Sequence, residues 1–239
     1  ITSLILIAIG KNPLETFALM YDYGTTGKSL VSIVNRFIPL YISAIAVAVG
    51  FKMGLFNIGV EGQYLLSALL AAAIGASFSV SRPVHILLIM IIATIVSAFW
   101  GAIAGYLKVN KGIHEVISTI MLNYIGTGII AYLLGQVFND EDKASLIPQT
   151  TPLPKTGQIP ELNKLLSIED LPSLHGFLPV AITLGIIYYL LIWKTTLGYN
   201  LRITGQNPIA AKFSGVDPKR LTMLAMIISG GFAGLVGMG

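Results

Sequence analysis

The twenty-four residues from Val84 to Leu107 contain no aspartate, glutamate, lysine or arginine. A helix of roughly 20 apolar residues crosses the hydrocarbon core of a bilayer. The run is continuous and does not alternate, which argues against a barrel strand. Similar runs cover Val116–Phe138 and Phe177–Trp193, with shorter ones at Phe37–Phe51 and Tyr64–Val80 and partial ones at Ile1–Ile9 and Leu221–Gly239. All are read as helices, because only helices and closed barrels satisfy the backbone in lipid. The expected fold class is all-α: a polytopic transmembrane helical bundle with about seven membrane segments and a broken helix near 52–63.

Composition supports lipid as the solvent. The chain is 54% hydrophobic and 11% charged, against about 25% charged in soluble domains. Its net charge of +4 is modest, and the basic residues gather at segment ends. That pattern suits membrane orientation and excludes nucleic acid as a partner. With no cysteine there is no disulfide framework, CxxC site or thiol nucleophile. The start "ITSLILIAIG" has no basic flank and reads as the tail of a helix, not a signal peptide. The far end stops inside an apolar run, so a single transmembrane domain over 1–239, incomplete at both ends, is expected.

Lysine and arginine set the orientation. The loop from Lys194 to Arg220 adds Arg202, Lys212 and Lys219 against one acid, Asp217, and should be cytoplasmic. The 139–176 loop holds Lys143, Lys155 and Lys164 against Asp140, Glu141, Asp142, Glu161, Glu169 and Asp170, and should be extracytoplasmic. Its prolines favour a surface cover over regular helix. Residues 11–36 then fall outside despite Lys11, Lys28 and Arg36. Trp100 and Trp193 suit an interfacial belt, and His85, after Arg82 and Pro83, should be interfacial too.

Between two apolar runs lies "FKMGLFNIGVEGQYLL", residues 51–66. A buried charge costs roughly 2.5 to 3.5 kcal/mol on insertion scales. Interrupted backbone at membrane depth is tolerated only against protein or a watery cavity. Leu55, Phe56, Ile58 and Val60 are too apolar for a wet turn. The stretch therefore reads as a break between helix pieces, of the kind transporters use for sites. Asn57 and Glu61 are candidates for the substrate pathway, with helix pairing open as the role of Glu61. In "KGIHEVISTIMLNYIG", His114 and Glu115 open a helix, and Glu115, a further candidate for the substrate pathway, favours its N-terminal dipole. Asn123 and Tyr124, two turns deeper, are pathway candidates or interhelical glue. Ser118 and Thr119 should bond back to their own helix. Gly101 and Gly105 in "WGAIAGY" form a small-residue packing face.

The stretch "TTLGYNLRITGQNPIAAKFSGVDPKRLTML" contains two helix starts. Asn207 with Pro208 is a cap followed by proline at the first helical position, and Gly215 supplies a stop. Ile209 and Phe213 stand four apart on one face, with Ala210 and Ala211 beside them. The small side chain of Ala211 implies close contact with a partner. Asp217 and Pro218 repeat the start for the last span. A two-turn helix is marginal alone, so it needs a surface.

That stretch, continued as "AMIISGGFAGLVG", resembles the cytoplasmic loop and following helix of permease subunits of bacterial ABC importers. The subgroup carries branched-chain amino acids, ribose-like sugars and nucleosides. "GLFNIGVEGQYLLSALLAA", "GIHEVISTIMLNYIG" and "NPLETFALMYDYG" are similar to the same family, most closely its nucleoside branch. The likeness covers nearly the whole chain. His114 departs from the asparagine expected there. The resemblance implies that Pro208–Ser214 is the coupling helix, with Gly205, Asn207, Pro208, Ala210, Ala211, Phe213 and Gly215 as ATPase-coupling residues. It implies a bacterial-type cytoplasmic membrane, a separate ABC ATPase subunit, a second permease subunit in a homo- or heterodimer, an extracytoplasmic substrate-binding protein and a small-molecule cargo.

No GxxxxGK[ST] sequence is present, so ATP and magnesium belong to the partner ATPase, and no cofactor is expected on this chain. His85, His114 and His175 form no metal-ligand pattern. An ion- or proton-coupled secondary transporter would also use broken helices, but it needs no capped handle at 208–214. An intramembrane protease would need paired acids at depth, and Asp22, Asp140, Asp142, Asp170 and Asp217 all lie outside the spans.

Overall fold

Leu87, Ile91, Ile95 and Phe99 are exposed along one edge of a thirty-residue helix, Arg82–Lys111. His85, Ile89, Ala93, Ser97, Gly101 and Ala104 are buried along the other. Both faces are apolar. The outward edge carries large aliphatic and aromatic side chains that suit lipid, and Ala93, Ser97, Gly101 and Ala104 on the inward face let other helices approach closely.

The computed structural model describes residues 1–139, 148–163 and 172–238. Among these residues all regular structure is helical. In chain order the helices are α1 (Thr2–Ala8), α2 (Pro13–Gly24), α3 (Gly27–Phe51), α4 (Val60–Ala76), α5 (Arg82–Lys111), α6 (Glu115–Tyr132), α7 (Leu178–Lys194), α8 (Thr196–Gln206), α9 (Pro208–Phe213) and α10 (Pro218–Gly234). A π-turn at Leu133–Val137 extends α6, and a 3₁₀ turn at Val236–Met238 follows α10.

Among the described residues four helical stretches are long and apolar enough to cross a membrane alone: Gly27–Phe51, Arg82–Lys111, Glu115–Val137 and Pro218–Met238. Two more arise if α1 with α2, bent by 118°, and α7 with α8, bent by 69°, each count as one span. The remaining expected segment is α4, whose 17 residues reach only about 25 Å at 1.5 Å per residue. The polytopic all-α reading holds, with shifted boundaries. Residues 60–63 already form the first turn of α4, so the break is 52–59. α3 starts ten residues before Phe37 and runs through Pro39. α2 occupies part of the expected 11–36 connection, started by Asn12, whose Oδ1 accepts from Leu14 N at 3.0 Å.

Contacts divide the chain into two units. One comprises Ile1–Phe37 with Pro160–Gly176. There Asn35 Nδ2 donates to Ser173 O at 2.8 Å, and Asn35 Oδ1 accepts from His175 N at 2.9 Å. The other comprises Ile38–Ile159 with Phe177–Gly239 and holds the main core. Its tightest pairing is α5 against α10. Ser97 Oγ donates to Gly230 O at 2.5 Å, and a Cβ on Gly101 would stand 2.7 Å from Met226 O. The small-residue face read in "WGAIAGY" is used there.

Two aromatic placements differ from expectation. Trp100 is buried, because it shares the inward face of α5 with Ser97 and Ala104, and only Trp193 remains half-exposed. His85 is fully buried. Its Nε2 is 3.0 Å from Gly75 O and its Nδ1 2.9 Å from Thr156 Oγ1. Residues 148–159 of the expected outer loop thus cover the ends of α4 and α5, with Gly157 against the His85 ring. Seven of the charges used to orient that loop, Asp140, Glu141, Asp142, Lys143, Lys164, Glu169 and Asp170, lie outside the described residues.

Candidate functional site

From Met53 to Gly59 burial alternates: Met53, Leu55, Asn57 and Gly59 are inside, while Gly54, Phe56 and Ile58 are exposed. The break is a non-helical strap laid on protein, with turns at 52–54 and 58–59. A wet turn would not bury Leu55 at 3% exposure or Asn57 at 1%. Its first four N–H groups, Lys52 to Leu55, still donate to the carbonyls of Ala48, Gly50 and Phe51 at the end of α3. Beyond Leu55, side chains must satisfy the backbone.

Three candidate residues do so. Asn123 Nδ2 donates to Ile58 O at 3.0 Å, and its Oδ1 accepts from Gly62 N at 2.9 Å. α6 thereby caps the first turn of α4 from outside, replacing the side-chain cap that Gly59 lacks. Glu115 is buried at the start of α6. Its Oε1 accepts from Phe56 N at 3.4 Å, and its Oε2 is paired with Lys108 near the end of α5. Asn57 Nδ2 donates to Gln63 Oε1 at 3.0 Å and Ser229 Oγ at 2.8 Å. Its Oδ1 accepts from Gln63 Nε2 and Gly59 N, both at 3.1 Å. Both donors and both acceptor sites of this amide are used. Ser229 Oγ passes the connection on to Ala46 O at 2.6 Å.

Glu61 and Tyr124 stand apart from this network. Both are exposed, Tyr124 at 77%, and they are chain neighbours of the touching pair Gly62 and Asn123. Gln63, Lys108 and Ser229 were not among the residues singled out, and Ser229 lacked any local signal within "IISGG". Ser118 and Thr119 bond back to Glu115 O at 3.1 and 2.7 Å, as expected.

The second candidate region begins at α8, which lies within the expected 194–220 loop. Thr195 starts it: its Oγ1 accepts from Gly198 N at 3.0 Å. α8 ends against the strap. A Cβ on Gly205 would lie 2.5 Å from Lys52 O and 2.7 Å from Met53 Cα, so only glycine permits this approach. Asn207 Oδ1 then accepts from Ile209 N and Ala210 N, both at 3.0 Å, with Pro208 at the first position of α9. At its end Val216 N donates to Ala211 O and Gly215 N to Lys212 O, with Gly215 at φ 81°. This is the paired C-terminal closure that a left-handed glycine allows.

Ala211 departs from its expected place. It is fully buried within the chain, because it sits on the face of α9 turned inward. The outward face carries Ile209 and Phe213, exposed at 71% and 89%, together with Ala210.

Residues 29–239 match the family described as "Branched-chain amino acid transport system / permease component". The chain belongs to this family. Among curated relatives, the guanosine ABC transporter permease protein NupP of Bacillus subtilis is 37% identical over 209 residues, covering 85% of this chain and 57% of its own length. The nucleoside ABC transporter permease protein NupB of Lactococcus lactis subsp. cremoris is 32% identical over 99% of this chain and 65% of its own length. The glucose ABC transporter permease protein TsgB13 of Haloferax volcanii is 28% identical over 98% of this chain and 62% of its own. The chain thus spans between 57% and 65% of the length of these relatives. No solved structure matches.

As a member of a permease family the chain is a multi-pass membrane protein. Among the described residues no group of three or more His, Asp or Glu is placed to hold a metal. His114 departs from the expected asparagine yet does an asparagine's work here: its Nδ1 accepts from Val116 N at 3.3 Å and caps α6.

Proposed function

We propose that this chain is the membrane subunit of an ABC importer for nucleosides, and that the strap at 52–59 is the part of the pathway moved by α9. The observation carrying this reading is the contact of Gly205 with Lys52 and Met53. Through it, a push on the α8–α9 corner reaches the break without crossing a flexible linker. α9 is the coupling helix, and its exposed Ile209 and Phe213 are the face offered to an ATPase subunit.

In this mechanism Asn57, Asn123 and Glu115 hold the strap, each bonded to it or to its flanking turn. Glu61 and Tyr124, exposed beside that clamp, are the side chains available to line the path. The 194–220 loop faces the cytoplasm and the 139–176 loop faces outward, in the cytoplasmic membrane of a bacterial-type cell. A second permease subunit completes the path, and a binding protein delivers cargo from outside. ATP and magnesium stay on the ATPase.

Nucleosides are favoured over sugars by the names of the two more similar relatives above. The test is uptake of radiolabelled guanosine by cells carrying the complete system. Uptake abolished when the ATPase's phosphate-binding lysine is replaced, and competed by nucleosides but not glucose, is expected. Uptake that persists without any ATPase would instead assign an ion-driven carrier.

A further inference from the structure

Beside the Gly205 contact lies a half-open cavity of about 480 Å³, lined by Phe51, Lys52, Trp193, Tyr199, Arg202 and Gln206 among others. Its charge is unbalanced. Arg202 Cζ lies 4.3 Å from the centre of the Trp193 ring, and Lys52 Nζ lies 5.3 Å from the same ring. Two cations therefore share one aromatic side chain. Among the described residues the ion pairs all involve Glu115, so neither cation has a carboxylate partner within reach. Arg202 Nε is moreover buried with no hydrogen-bond partner. A buried guanidinium N–H left unsatisfied is costly, and two neighbouring cations repel. An anion between them removes both costs.

We propose that this cavity binds the phosphate of an anionic phospholipid headgroup. Arginine presents a fork of donors that fits phosphate oxygens, and lysine adds a point charge. The rim favours lipid over a soluble anion. Phe51, Trp193 and Tyr199 are each about half exposed, and they stand where α3 and α7 end and α8 turns away by 69°. Aromatic rims with basic groups at helix ends belong to the membrane interface, and basic pockets between helices there hold acidic headgroups. The site goes beyond the transport reading and is independent of the cargo. A lipid bound there would brace Lys52 of the strap to Arg202 of α8.

The test is native mass spectrometry of the assembled transporter, equilibrated in phosphatidylcholine with added phosphatidylglycerol. The wild type should retain phosphatidylglycerol through detergent exchange. Loss of each charge should weaken retention about fivefold, so Arg202→Gln falls about fivefold and Lys52→Gln with Arg202→Gln about twenty-five-fold. Arg202→Lys keeps the charge but not the fork of donors, so it should weaken retention less than Arg202→Gln does. Lys194→Gln, which removes a charge outside the cavity, should change nothing. Equal retention in the double variant overturns the proposal, and so does equal loss in Arg202→Lys and Arg202→Gln, which would mean a change of shape. Inorganic phosphate binding as tightly in lipid-free detergent reassigns the site to a soluble anion. Loss of the ATPase subunit with unchanged lipid reassigns it to a protein contact.

Discussion

Gly205 and Met53 touch backbone to backbone: a Cβ on Gly205 would stand 2.7 Å from Met53 Cα. Neither atom belongs to a flexible side chain, so an added methyl must separate α8 from the strap. Gly205→Ala is expected to cost about 1 to 3 kcal/mol as overpacking and to lower uptake more than Asn207→Ala, which loses a cap worth about 0.5 to 2 kcal/mol. Uptake rates and melting temperatures of the two variants check the order. Wild-type uptake in Gly205→Ala would mean the contact transmits nothing.

Gly62 should tolerate no side chain. Its Cβ would lie 2.8 Å from Asn123 Oδ1 and 2.9 Å from Asn123 Cα. Gly62→Leu is expected to push α6 away, remove the cap on α4 and abolish uptake, while the ATPase still binds. Binding measured by co-purification separates the two effects. Normal uptake would reduce the strap to a passive turn.

Asn57 and Glu61 should separate stability from transport. Asn57→Ala strands the Gln63 amide and Gly59 N, whose partner is Asn57 Oδ1, whereas Ser229 keeps its bond to Ala46 O. Each buried group left unpaired costs about 1 to 3 kcal/mol. Thermal unfolding in detergent should show that loss. Glu61→Gln, at an exposed position, should leave unfolding unchanged and reduce uptake. A lower melting temperature in Glu61→Gln would make this carboxylate a structural group.

Orientation is testable because the chain has no native cysteine. Lys212→Cys and Gln158→Cys, both at exposed positions, should be labelled from opposite sides, the first from the cytoplasm. Labelling of both from one side would remove the assignment of α9 as the coupling helix.

What was legible in the sequence was local chemistry. Asn207, Pro208 and Gly215 defined α9 because cap, first-turn proline and left-handed stop act within a few residues. The apolar runs located most spans for the same reason. α8 was not legible: Gly198, Asn200 and Arg202 interrupt its apolar face, and its start depends on one threonine cap. Residues 27–36 fall in the expected 11–36 connection, yet they form the first turns of α3, ahead of the expected Phe37–Phe51 run. Long-range pairing was invisible. Asn57 meets Ser229 across 172 positions, and nothing in either neighbourhood announces the other. Ala211 was read outward because smallness signals close contact, but smallness alone does not say with what.

The central claim is that Ile209 and Phe213 hold the ATPase. Phe213 is 89% exposed, whereas Ala211 has no exposed surface. Phe213→Glu should therefore leave the permease folded with an unchanged melting temperature, and Ala211→Glu should destabilise the permease itself. The deciding measurement is co-purification of the ATPase subunit with Phe213→Glu, together with its substrate-stimulated ATP hydrolysis. The account predicts loss of the subunit and of stimulated hydrolysis from a stable permease. An ATPase retained at wild-type level with unimpaired stimulation would contradict it.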